Sequence, residues 1–363
     1  MSQRYNKKLS DIQVYFAQPL EDWYEKHHRE LPWRETNDPY LIWISEIILQ
    51  QTRVNQGLGY YKRFIERFPN VATLASAKEE EVLKYWQGLG YYSRARNLHK
   101  ASQMIMADFD GVFPSTYEDV RKLKGVGEYT AAAILSFSAN LPYAVLDGNV
   151  FRVLSRYFGI ATPIDTTVGK KEFKQLADTV LDFDAPGLYN QAIMELGALQ
   201  CVPISPNCEA CPVLSGCAAY SAGTVSILPI KQGKTKVRAR YFNYLHLVDG
   251  DTTFLYRREG KDIWQGLFEF PLIETDKDLS VDEFLNSDEY KSFVDNLHVK
   301  TVSVEIESRK HILSHQRIYA RFLKIELFDS LHVSNEYIRI NNDQLQEFAI
   351  SRLTEIYLES MVS

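Results

Sequence analysis

The sequence predicts a multidomain protein: an all-α region followed by an α+β domain. Three observations carry this expectation. Apolar residues recur at helical spacing through residues 1–220, whereas in 241–363 they alternate or run in β-branched and aromatic clusters. Between them, 221–240 passes from Ser, Gly and Pro into Lys231-Gln-Gly-Lys-Thr-Lys-Val-Arg, a linker composition with little to bury. Four cysteines, all that the chain contains, crowd into the end of the helical part.

The helical segments follow in order: Leu20–Tyr24, Ile42–Val54, Val71–Trp86, Ala131–Ser138, Val150–Phe158 and Phe173–Leu181. Pro69, Gly88, Gly90, Pro114, Pro142, Pro163 and Pro186 punctuate them. The hexapeptide Gln-Gly-Leu-Gly-Tyr-Tyr occurs at 56–61 and again at 87–92, and two copies do not make a repeat architecture. Strands are expected at Tyr241–Val248, Thr253–Arg257, Val299–Glu305 and Ile318–Leu327, with a hairpin at Val248-Asp-Gly-Asp. Helices return near Val281–Leu285 and Asp343–Glu359.

Composition narrows the class. At 45% hydrophobic and 24% charged residues, the chain reads as an ordinary soluble protein. Met-Ser-Gln-Arg-Tyr-Asn-Lys-Lys at the start has no apolar signal region, and no run of about 18 apolar residues follows. No membrane association and a cytoplasmic location are expected, in a reducing compartment where free thiolates can hold a metal. The net charge of −6 gives no global attraction to nucleic acid, but affinity follows local phosphate contacts. Basic clusters stand at Arg94, Arg96 and Lys100, at Arg121, Lys122 and Lys124, and along Lys231–Arg240. Each taken alone reads equally well as a solvated face.

Cys201, Cys208, Cys211 and Cys217 are spaced C-x6-C-x2-C-x5-C. Zinc is usually gripped by two paired knuckles, and only one is present here. A [4Fe–4S] cluster also takes four thiolates and tolerates uneven gaps, so this spacing favours the cluster over zinc or disulfides. In Leu123-Lys-Gly-Val-Gly-Glu-Tyr-Thr-Ala-Ala-Ala-Ile, Gly125 and Gly127 allow a tight turn between helices. The amides opening the second helix can then meet a DNA phosphate, although a plain helical corner has the same pattern. Asp147, in Val145-Leu-Asp-Gly-Asn-Val, precedes a helix and suits an N-cap, where amides and the helix dipole keep it ionised. Glu46 lies in Leu41-Ile-Trp-Ile-Ser-Glu-Ile-Ile-Leu. Buried there, its pKa rises and it can donate a proton near neutrality; the alternative is a polar helix face carrying Ser45 and Glu46 to solvent. A raised-pKa acid and an ionised carboxylate divide labour as in glycoside-cleaving enzymes.

Together these residues resemble the helix-hairpin-helix DNA glycosylases of the endonuclease III superfamily, and within it the adenine glycosylases. Further motifs carry the resemblance: Leu31-Pro-Trp-Arg, Gln50-Gln-Thr-Arg-Val, Gly88-Leu-Gly-Tyr-Tyr-Ser-Arg-Ala-Arg-Asn-Leu and Asn190-Gln-Ala-Ile-Met-Glu-Leu-Gly-Ala. The second domain resembles a Nudix-like domain through Trp264-Gln-Gly-Leu-Phe-Glu-Phe-Pro, without the acidic box for pyrophosphate hydrolysis. It is therefore expected to bind rather than hydrolyse.

The resemblance implies a helical catalytic domain over 1–220 with a helix-hairpin-helix and a [4Fe–4S] loop, a linker over 221–240, and a Nudix-like lesion-recognition domain over 241–363. It implies a monomer acting in base excision repair on double-stranded DNA, removing adenine opposite 8-oxoguanine or guanine. Glu46 and Asp147 become the catalytic pair, with Asn149 orienting Asp147 or the water. Tyr129 stands where lyase relatives carry a lysine, which implies a monofunctional enzyme, and it is expected to hydrogen-bond Asp147. Trp33, Arg34, Val54 and Gln191 line the adenine pocket, with Arg34 and Gln191 bonding the base edge. Gln51 and Tyr91 are candidate wedges, and Thr52 and Leu89 lie near the lesion base. Gly125 and Gly127 clamp phosphate. His311, Leu313 and Ser314 form the lesion loop; the family commonly has Phe where Leu313 stands, which leaves Ser314 as the better contact. Two rival readings remain at this level: a bifunctional glycosylase/lyase, and a non-catalytic DNA-binding or sensor protein.

Overall fold

Residues 13–233 and 237–362 are described in a computed structural model. The N-terminal octapeptide, Lys234 and Lys236 lie outside the described residues. The chain divides into two compact units. One holds the residues up to Ser76 together with Lys100–Gly233; the other holds Ala77–His99 and the residues after Gly233.

The first unit is helical. Its helices are α1 (Gln18–His27), α2 (Pro39–Leu49), α3 (Val54–Arg67) and α4 (Val71–Ser76). After α5 (Glu79–Trp86), which belongs to the second unit, and α6 (Ser93–Asp108), which is counted in the first only from Lys100, come α7 (Tyr117–Lys122), α8 (Glu128–Ala139), α9 (Gly148–Phe158), α10 (Thr167–Val180), α11 (Pro186–Leu199) and α12 (Ala218–Ser221). Four of these build the site: α2 packs on α8, α8 on α11, and α11 on α9. Behind them a core gathers Phe16, Leu154, Tyr157, Phe173 and Tyr189.

The expected helix over Ile42–Val54 is two helices. Asp38 caps α2 by accepting from the Tyr40 amide at 2.8 Å, and Pro39 pre-sets the first turn. The helix stops where Gln50 turns extended and Gln51 enters the left-handed region at φ +57°. The expected helix over Val71–Trp86 also breaks, at residues 77–78.

The second unit is a seven-stranded sheet with flanking helices. Its strands are β1 (Arg238–Asp249), β2 (Thr252–Arg257), β3 (Phe268–Glu269), β4 (Leu272–Thr275), β5 (Val299–Ile312), β6 (Gln316–Leu327) and β7 (Ile338–Asn341). The order is β3-β2-β1-β6-β5, with β4 paired to β1 and β7 to β2. Only the β1–β6 pair among these is parallel. The Gly250 hairpin joins β1 and β2 with Asp249 opposite Thr252. β1 begins at Arg238, inside the expected linker. The expected helix over Asp343–Glu359 is replaced by a 3-10 turn (Asn342–Glu347), an extended step and α15 (Arg352–Val362), after α13 (Val281–Leu285) and α14 (Asp288–Val294). The step is extended because its backbone serves the sheet: the Phe268 amide donates to the Ala349 carbonyl at 2.8 Å.

The placement of Ala77–His99 in this unit departs from a division at 220, and its contacts explain why. Lys84 donates to the Phe348 carbonyl at 3.0 Å, Gln87 to Glu355 at 3.1 Å, and Arg96 to the Gln265 carbonyl at 2.5 Å. A Cβ on Gly266 would come within 2.9 Å of Leu83, so glycine permits that approach, at a φ of +85°.

Candidate active site

A cavity of about 770 Å³ opens in the first unit, and Glu46 and Asp147 both line it. Trp33, Arg34, Gln51, Thr52, Val54, Tyr129, Asn149 and Gln191 line it too. Glu46 comes from the middle of α2, where the solvent-face alternative fails: Ser45 is 0% and Glu46 6% exposed. Burial, reinforced by the nearby Asp147 charge, pushes Glu46 up to about 7, against a hydrogen bond from Tyr129 and the Arg34 charge.

Asp147 caps α9. One carboxylate oxygen accepts from the Asn149 and Val150 amides at 2.9 and 2.8 Å; the other accepts from Asn149 Nδ2 at 2.8 Å. Burial nonetheless raises its pKa overall, so the amides offset that effect only in part, where the sequence reading had the helix terminus dominate. Tyr129 also departs from expectation. Its hydroxyl donates to Glu46 Oε2 at 2.7 Å rather than to Asp147, because α8 packs against α2 and Asn149 already holds Asp147.

Arg34 and Gln191 are more committed than the sequence suggests. Tyr24 donates to Gln191 Oε1 at 2.5 Å. Arg34 donates to the Arg29 carbonyl at 3.0 Å and to both oxygens of Glu195 at 3.0 and 2.8 Å. Sequence reasoning missed Glu195, although the signal was present: it is a carboxylate within Ala192-Ile-Met-Glu-Leu-Gly-Ala, the same anomaly that exposed Glu46. Burial pushes Glu195 up, but hydrogen bonds from Arg29 and Arg34 outweigh it and hold the group at about 2. Trp33 stands edge-on to Tyr61 at 5.0 Å.

Other nominated residues lie elsewhere. Leu89 and Tyr91 belong to the second unit, Leu89 buried and Tyr91 exposed. Gln51 and Tyr91 both hold left-handed backbones, at φ +57° and +48°, a conformation costing a non-glycine residue about 1–3 kcal/mol. In the hairpin, Gly125 needs its glycine at φ +82°, whereas Gly127 is ordinary extended backbone at φ −91°. No side chain caps α8, so its first amides are unshielded by a cap. His311 lies in β5 opposite Ile318 of β6, whereas Leu313 and Ser314 fall in the β5–β6 turn, closed by the Leu313 amide donating to the Gln316 carbonyl at 2.8 Å.

The cysteines occupy a loop of two short 3-10 turns, Cys208–Ala210 and Leu214–Gly216. Cys201, Cys211 and Cys217 pack against the helical core. Burial first, then the neighbouring cysteine charges, pushes up the thiols of Cys208, Cys211 and Cys217, Cys211 to about 11. Among the described residues, no three His, Cys, Asp or Glu side chains form a ready-made metal cage. The donor set itself, four soft, unpaired thiols within one loop, fits a thiolate-ligated centre. α9 ties this loop to the Asp147 cap: Arg152 donates to the Cys201 carbonyl at 2.7 Å and to Asn149 Oδ1 at 2.9 Å, and Arg156 to the Val202 carbonyl at 2.8 Å. Among the described residues no helix is long and apolar enough to cross a membrane.

This arrangement defines a class. Residues 44–178 match the HhH-GPD superfamily of base excision DNA repair proteins, and residues 243–360 match the NUDIX domain. The helical part is similar to the structure of a thermostable thymine-DNA glycosylase, with a TM-score of 0.55 at 27% identity over 59% of this chain and 98% of that one. Endonuclease III in a non-covalent DNA complex shares the fold, with a TM-score of 0.52 at 22% identity over 60% of this chain and 98% of that one. Relatives then narrow the class. The adenine DNA glycosylase of Buchnera aphidicola subsp. Baizongia pistaciae is 35% identical over 91% of this chain and 93% of its own length. The Homo sapiens enzyme of the same description is 40% identical over 56% of this chain and 39% of its own length. The chain belongs to the adenine DNA glycosylases, hydrolases that cleave N-glycosyl bonds to remove adenine from DNA in base excision repair.

Proposed function

We propose that the chain is a monofunctional glycosylase that removes adenine paired with 8-oxoguanine, and also with guanine, from duplex DNA. One observation carries the reading: Glu46 and Asp147 line a single cavity, with Glu46 held at about 7 and a tyrosine, not an amine, between α8 and the acid. The adenine leaves the stack at a cost of a few kcal/mol, least at a mismatch. Gln51 and Tyr91 enter the duplex, and Thr52 and Leu89 adjoin the lesion base. Trp33, Arg34, Val54 and Gln191 hold the adenine; Arg34 keeps part of its five-donor guanidinium for the base while Glu195 and the Arg29 carbonyl hold the rest.

Tyr129 occupies Glu46 Oε2, and the carboxyl proton passes to adenine N7 so that the base departs neutral. Asp147 stabilises the positive charge developing on the sugar, electrostatically or by transient covalent attachment, steadied by Asn149. Glu46, now deprotonated, activates the water that completes hydrolysis. Gly125 and Gly127 present the α8 amides to phosphate, and His311, Leu313 and Ser314 contact the 8-oxoguanine. Residues 1–220 form the catalytic domain, 221–240 the linker and 241–363 the lesion reader, in a cytoplasmic monomer.

Cys201, Cys208, Cys211 and Cys217 hold a [4Fe–4S] cluster that fixes the loop against DNA and contributes no chemical step. An absorbance band near about 400 nm, lost in Cys211→Ser, checks the ligation. Single-turnover release of adenine from duplexes with A opposite 8-oxoguanine or G, read by hot-alkali cleavage, tests the function. Absence of strand breaks on both duplexes removes it, and a borohydride-trapped enzyme–DNA adduct replaces it with a lyase.

A further inference from the structure

Glu195 takes no step in the reaction above, yet it is 1% exposed in mid-α11 and accepts five hydrogen bonds at the cavity wall. The backbone amide of Arg29 donates to it at 2.9 Å, Arg29 Nε at 2.8 Å and Arg29 Nη2 at 2.5 Å. Arg34 adds Nη1 at 3.0 Å and Nη2 at 2.8 Å. Two guanidiniums against one carboxylate leave +2 − 1 = +1. Without Glu195 the same wall would carry +2. Arg29, Arg34, Glu195 and Glu46 line one cavity, and the Arg34 charge acts on Glu46.

We propose that Glu195 is a positioning residue for the proton donor: by clamping Arg34 it fixes that guanidinium at the base pocket and offsets its charge, so that Glu46 keeps its proton beside a cation. This deepens the proposed function and rests on Glu46 acting as the acid. The other groups around Glu46 set the background. Asp147 at the α9 cap opposes ionisation of Glu46, while Tyr129 from α8 and Arg34 from the Pro32–Arg34 turn favour it. Arg29, Arg53 and Arg152 are the remaining cations on the cavity wall. With four arginines lining the cavity, a neutral acid needs a compensating anion, and the clamp places that anion directly on the arginine whose charge acts on Glu46.

The test is single-turnover adenine release by the full chain from a duplex with A opposite 8-oxoguanine, from about pH 5 to about pH 9. The protonated acid is the active form, so the rate falls above its midpoint. In Glu195→Gln the uncompensated arginine draws the midpoint toward lower pH by about half a unit or more. The rate at about pH 8 then drops roughly threefold or more beyond any change at low pH. Glu195→Asp, which keeps the charge, restores the midpoint. Arg34→Gln moves it the other way, even where base binding suffers, and serves if Glu195→Gln does not fold. A uniform loss at every pH, with the midpoint unmoved in Glu195→Gln or in Arg34→Gln, overturns the proposal and leaves Glu195 a packing residue. Normal turnover by Glu46→Gln is a different failure: it removes the acid itself, whatever Glu195 does.

Discussion

Glu46 on α2 and Glu195 on α11 are the same residue type, each over nine-tenths buried within an apolar helix, yet they are held in opposite states. Glu46 has one tyrosine hydroxyl as a donor and an anionic neighbour, and burial lifts it to about 7. Glu195 has five donors from two arginines, which pull it to about 2. Burial alone therefore does not decide ionisation; the number and charge of donors does. One carboxyl is left able to give up a proton and the other is fixed as a permanent anion.

The contrast makes predictions that separate chemistry from stability. The largest effect is expected at Glu46 and Asp147, the pair proposed to do the chemistry. Glu46→Gln and Asp147→Asn should each lower single-turnover adenine release by several powers of ten while gel-shift binding to the lesion duplex persists. Retained release in both would erase the distinction between the two glutamates.

Stability should show the reverse order. Glu195→Ala strands two guanidiniums and should cost about 3–5 kcal/mol in denaturant unfolding, whereas Glu46→Gln, which removes a carboxyl with little compensation, should be near neutral or stabilising. Equal losses would mean that both are held alike.

A smaller effect comes from the contact between α11 and α9. A methyl on Gly197 would lie 2.6 Å from Asn149 Cβ and 3.0 Å from its carbonyl oxygen, so Gly197→Ala must move the residue that holds Asp147. The release rate should fall about tenfold or more with lesion binding intact. An unchanged rate would show that Asn149 can shift without consequence.

The smallest effect is in the pH dependence of the melting temperature. Glu195 is depressed, from 4.5 to about 2, so its stabilisation is present above about 4.5 and is lost as pH falls through about 2. Glu46 is raised, from 4.5 to about 7, so its share is present below about 4.5 and fades as pH rises through about 7. Calorimetry should find that Glu195→Gln flattens the acid side of the profile and Glu46→Gln the neutral side. Matching profiles for the two variants would refute the opposed assignments.

Legibility in the sequence varied with how local each cause is. Glu46 and Asp147 stood out because one breaks an apolar run and the other precedes a helix. Glu195 broke an apolar run as plainly, but its arginine partners lie over 160 residues away, at Arg29 and Arg34. The twin hexapeptide is the clearest limit. At 56–61 Gln-Gly-Leu-Gly-Tyr-Tyr lies inside α3. At 87–92 the same residues form a loop with Gly88, Gly90 and Tyr91 at φ +92°, +73° and +48°. The short strands β4 and β7 were likewise invisible, since four residues carry too little pattern to register.

By itself, the sequence determined which residues are apolar and how they repeat, hence the helical part, the sheet part and the cysteine loop, because those patterns are local. Tertiary structure decided what no window of residues contains. It broke the long helices and drew Ala77–His99 into the second unit. It turned Tyr129 toward Glu46, and it set one buried glutamate against a phenol and the other against two guanidiniums. Those outcomes depend on hydrogen bonds and fields between distant segments, which exist only once the chain has packed.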